Sequence, residues 1–201
     1  MLASTPGEPD PVPIVETTAP FRRPTFTGPL VLTASPEQPP NKAGRNESAP
    51  DQPPRPLEHI LHAAGPLAPE EAAAVGLGVL DLLAPLHGAG RFHGDVRPET
   101  VLVNGSGAVT LADPAPAPAM SPYSAPEGNV SPAADLWALG ATLFTAVEGR
   151  APAPGAPLTR AGALAPVLFR LLSGSPGQRL TADELRLDLK TIAAAATSAR
   201  P

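Results

Sequence analysis

Proline limits where this chain can build a core. There are 30 Pro among 201 residues, and they crowd residues 1–56, where Ser, Thr, Glu and Gly supply most of the rest. Such a stretch cannot bury enough apolar surface to offset the entropy of ordering it, so mostly disordered chain is the expectation. One island, 26–34, reads as a short strand. Ser35 to Pro56 reads as linker, with Pro39-Pro40 and Pro53-Pro54 favouring local polyproline II. Packed structure is thereby expected over 57–192, and 193–201 read as a disordered tail.

Within that window the pattern is mainly helical. Leu57, Ile60 and Leu61 have helical spacing, and Gly65-Pro66 closes the turn. Pro69 suits a first helical position, with Glu70 and Glu71 at the favourable end of the dipole. Val75, Val79, Leu82, Leu83 and Leu86 give that helix a wide apolar face. Pro85 is expected to kink it or end it early, and Gly88 and Gly90 to stop it. Arg91 to His93 read as a short strand. Val101–Val103 and Val109–Leu111 flank an Asn104-Gly105 turn signal and read as a hairpin. Ser131-Pro132 opens a helix whose Leu136, Trp137, Leu139, Leu143, Phe144 and Val147 are apolar nearly all round, the mark of a central core helix. A shorter helix is expected from Leu164 to Leu172. Thr181 to Glu184 reads as a capping box ahead of a stripe of Leu185, Leu189 and Ile192. The fold class is α+β, mainly α.

Composition excludes several functions. A net charge of −5 leaves no electrostatic footprint for nucleic acid. The absence of Cys excludes disulfides and thiolate metal sites. No uninterrupted apolar run approaches the roughly 18 residues of a membrane span, and no basic-then-apolar leader opens the chain. A cytoplasmic protein with a protein partner is the expectation.

The stretch that carries chemistry is His93-Gly94-Asp95-Val96-Arg97-Pro98-Glu99-Thr100, which runs into the first hairpin strand. Pro98 fixes the backbone and the strand behind it holds Asp95 in place. Asp95 is the candidate base toward a hydroxyl, with Arg97 offering positive charge nearby. Taken alone this is weak, because an Asp in a loop is more often a turn or capping residue.

HGDVRPET resembles the protein-kinase catalytic loop, His-Arg-Asp-Leu-Lys-Pro-x-Asn. His93, Asp95 and Pro98 match, and Arg97 stands in place of the family's Lys. Three further matches follow in family order. Ser124-Ala125-Pro126-Glu127 reproduces the Ala-Pro-Glu element. Asp135-Leu136-Trp137-Ala138-Leu139-Gly140 is similar to the family's central-helix motif. Arg179 stands where the family pairs an Arg with the Ala-Pro-Glu carboxylate. The wording of the long helix looks like bacterial, especially actinobacterial, Ser/Thr kinases. The resemblance covers residues 57–192 and implies the kinase C-terminal lobe with its short hairpin. It also implies that His93, Glu127, Asp135, Trp137 and Arg179 are structural. Asp135 would brace the backbone near His93. Glu127 and Arg179 would form an ion pair whose disruption costs on the order of 3–5 kcal/mol.

The chemical positions depart from the family. Phosphoryl transfer depends on positioning phosphates and metal ions. Asp113, the candidate magnesium ligand, sits in Asp-Pro-Ala where the family has Asp-Phe-Gly. Thr100 replaces the metal-binding Asn, and Gly94 replaces the loop Arg. No Gly-rich phosphate loop precedes Leu57, and neither Lys42 nor Lys190 is placed to grip a nucleotide. The small N-terminal lobe is therefore read as largely absent. The expectation is a catalytically inactive, pseudokinase-like module that binds or scaffolds, with no cofactor and no confident cofactor-binding residue. A kinase small lobe, a second copy or the chain's own N-terminal tail would cover its open face, and a protein partner is expected. The alternative is an active or weakly active Ser/Thr kinase, using ATP and Mg with Asp95 as base and the small lobe supplied in trans. A further alternative is an unrelated helical interaction protein.

Overall fold

The computed structural model describes residues 53–115 and 121–198, the side chains of 196–198 excepted. The expected strand at 26–34, the linker up to 52 and residues 199–201 lie outside the described residues.

The architecture is mainly helical, with one small antiparallel sheet. Strand β1 (Arg55–Pro56) runs straight into α1 (Leu57–Ala64), and a long α2 (Pro69–Gly88) follows. A loop leads to the hairpin β2 (Val101–Val103) and β3 (Val109–Leu111). Then come α3 (Pro132–Glu148), α4 (Ala165–Leu171) and α5 (Ala182–Ser198). The strand order is β1-β2-β3, with Pro56 opposite Leu102 and Leu102 opposite Thr110.

Order thus starts before residue 57. Arg55 and Pro56 pair with β2 from the edge of the sheet, where a proline without an N–H is tolerated. Glu58 N then donates to Pro98 O at 3.1 Å, tying the start of α1 to the loop ahead of β2.

Two local rules set the helix ends. Ser131 Oγ accepts from Ala134 N at 3.1 Å with Pro132 at the first position of α3, and Gly149 closes that helix in the left-handed conformation. Thr181 and Glu184 exchange bonds as a capping box at α5, Thr181 N to Glu184 Oε2 at 2.8 Å.

The core is one continuous cluster drawn from all the helices and the hairpin. α3 is buried on nearly every side, as its sequence predicts. α2 packs on α5 and α3. The hairpin rests on α2 at Gly78, where an added Cβ would lie 2.6 Å from Val109 Cγ2, so no larger residue fits without moving β3.

Three expectations are corrected. Arg91–His93 form no strand, because the backbone N–H of His93 is taken by a side chain on α3 and not by a neighbouring strand. Pro85 does not end α2, which continues to Gly88. It lies exposed near the helix end, where the one backbone bond it deletes is on the solvent side. Finally, α5 runs on to Ser198 instead of ending at 192, carried by the helix-favouring Ala193–Ala196 run. The hairpin forms as expected, with Asn104 to Ala108 between its strands. Asn104 Oδ1 accepts from Ser106 N and Ala108 N across that loop, and the positive φ of 83° falls on Gly107.

Among the described residues one helix, α2, is long and apolar enough by length and composition to cross a membrane. Its Ala72, Ala73, Val79, Leu80 and Leu83 are fully buried within the protein.

Candidate functional site

The loop from His93 to Thr100 is held from behind by α3. Asp135, in the first turn of α3, is 1% exposed. Its Oδ2 accepts from His93 N at 2.8 Å and its Oδ1 from Gly94 N at 2.8 Å. His87 Nε2, from the last turn of α2, reaches the same Oδ2 at 2.9 Å. Thr142 Oγ1 adds a longer bond to Val96 O, 3.3 Å. One carboxylate therefore joins α2, α3 and the loop. His93 is oriented from both ring nitrogens. Nδ1 accepts from Asp95 N at 3.3 Å, so Nε2 carries the proton it shares with Ala112 O at 2.9 Å.

Gly94 is required by this arrangement. Its φ is +80°, and an added Cβ would sit 3.2 Å from Asn129 O. The Arg of the kinase pattern does not fit this backbone without strain.

Asp95 is nearly enclosed, 4% exposed. Oδ2 accepts from Ala115 N at 2.9 Å. Oδ1 lies 2.9 Å from Arg97 Nε, close enough for an ion pair, although the N–H points off the line and makes no hydrogen bond. Thr100 is equally committed. Its hydroxyl donates to Asp95 O at 2.6 Å and accepts from Arg97 N at 3.1 Å, stapling the loop to itself. Both oxygens of the candidate base thus face protein groups, and the hydroxyl in the metal-ligand position turns inward.

Asp113 follows β3 by two residues. It is exposed and lines a cleft of about 470 Å³ between the end of α2 and β3, beside Arg91 and Phe92. No group of three or more His, Cys, Asp or Glu able to hold a metal ion occurs among the described residues.

Glu127 and Arg179 do meet. Arg179 Nη2 donates to Glu127 Oε2 at 2.7 Å, Nη1 also bonds Ala133 O at 2.9 Å, and Nε bonds Ser173 O at 3.0 Å. The Arg179 side chain is 1% exposed, and its guanidinium holds the Glu127 carboxyl below the usual carboxylate range. Asn129 supports the same segment, accepting from Ala125 N and donating to Ser124 Oγ. Trp137 is half-buried and lines a cavity together with Pro122, Pro126 and Pro152. Its indole N–H is buried with no hydrogen-bond partner.

Three contributors escaped the sequence reading. His87 reads as an ordinary basic residue at a helix end. Asn129 reads as loop. Glu148 reads as a helix terminus, yet it is buried and accepts from Thr159 N, Thr159 Oγ1 and Arg160 N, each at 2.8 Å. Its one signal was a charged residue at the end of an otherwise apolar helix.

Comparison with known proteins places this geometry. The chain is 31% identical over 117 residues to the serine/threonine-protein kinase PknL of Mycobacterium tuberculosis, which covers 49% of this chain and 29% of that protein. It is 30% identical over 151 residues to the serine/threonine-protein kinase AfsK of Streptomyces coelicolor, 65% of this chain and 18% of that protein. It is 36% identical over 103 residues to the serine/threonine-protein kinase Tao of Drosophila melanogaster, 43% of this chain and 10% of that protein. The domain is protein-kinase-like. In each case the chain spans less than a third of the relative's length. No protein-family model matches it. The relatives weigh against an unrelated helical protein.

Proposed function

We propose that this domain corresponds to the large lobe of a protein kinase, has lost phosphoryl transfer, and works as a binding or scaffold module. The observation that carries the reading is the enclosure of Asp95. A base that takes a proton from an incoming hydroxyl must present a free oxygen within hydrogen-bond reach of it. Here one oxygen is covered by Arg97 and the other by the Ala115 N–H. The inward Thr100 hydroxyl supports the same reading. The groups that hold the loop in shape, Asp135, His93 and the Glu127–Arg179 pair, are intact. A domain that keeps its scaffold while its candidate base is enclosed is suited to presenting a surface. A second reading, residual Ser/Thr kinase activity with a small lobe in trans, is favoured by the retained Asp95 and Asp113 and by the relatives, all kinases by name.

ATP binding with and without magnesium separates the two. A ligand that binds only the native state raises its melting temperature. The expected result is no magnesium-dependent shift by ATP at about 100-fold above a micromolar dissociation constant, where a binder would gain about 2.7 kcal/mol. A magnesium-dependent shift that disappears in Asp113→Ala would overturn the inactive reading.

A further inference from the structure

We draw no further inference here: the strongest candidate, the cavity between α1 and the end of α3 that Glu58, Glu99 and Glu148 line, is an acidic cluster whose unpartnered Glu99 Oε2 belongs to a side chain that is only partly buried, and no second feature there points to a ligand.

Discussion

Asp135 has two carboxylate oxygens and receives three donors, two from loop backbone and one from His87. Asp135 itself is 1% exposed, so its carboxylate relies on these protein donors. Replacing Asp135 with Ala leaves the N–H groups of His93 and Gly94 without partners, and each such loss costs about 1–3 kcal/mol. We expect Asp135→Ala to lose about 3–4 kcal/mol in urea denaturation. Asp135→Asn should lose less, since it keeps one acceptor oxygen. A loss under about 1 kcal/mol for the alanine variant would mean that the loop does not depend on this carboxylate. The position was legible in the sequence only through its neighbours. A lone Asp at the start of a helix reads as a dipole partner, and its long-range role was anticipated from resemblance. His87 shows the limit of that method, because it lies 48 positions from its partner and no local pattern joins the two.

At the scale of the element, Glu148 does for the end of α3 what Asp135 does for its start. Burial works against its ionisation, but the N–H of Arg160 and the hydroxyl and N–H of Thr159 outweigh that and hold its carboxyl below the ordinary range. A carboxyl with a depressed folded value contributes stability that is complete above the unfolded value of about 4.3 and is lost as pH falls through the folded value. Wild type should therefore exceed Glu148→Gln in stability by a constant margin above about pH 5, and the margin should shrink below about pH 4. Thermal melts of both proteins from pH 3 to 7 would check this, and a margin independent of pH would assign the role to shape and not to charge. Elements defined by local chemistry were legible: the Ser131 cap, the Thr181–Glu184 box and the all-round apolar α3. Elements defined by a distant partner were not. Arg91–His93 has the composition of a strand, but α3 supplies its acceptor from 42 positions away.

For the whole molecule, one core has a consequence for unfolding. Leu80 and Leu83 of α2, Leu139 and Leu143 of α3, Leu168 of α4 and Leu185 and Leu189 of α5 are all fully buried in the same cluster. α5, last in the chain, packs chiefly on α2, and its outer link, the Arg186–Asp81 ion pair, is exposed. An exposed pair contributes about 0–1 kcal/mol, whereas removing a buried leucine side chain costs about 2–5 kcal/mol. The attachment of α5 is thus apolar, and it cannot leave without opening the core that α2 and α3 share. The chain has a single Trp, Trp137, half-buried on α3, so its fluorescence reports on the centre while far-ultraviolet circular dichroism reports on all helices. The two signals should trace one urea transition. Leu189→Ala should move both midpoints together by about 2–5 kcal/mol, whereas Arg186→Ala should move them by less than about 1 kcal/mol. If the helical signal falls ahead of the fluorescence in Leu189→Ala, α5 unfolds as a separate unit. The core would then rest on α2, α3 and α4, and the single-cluster account would fail.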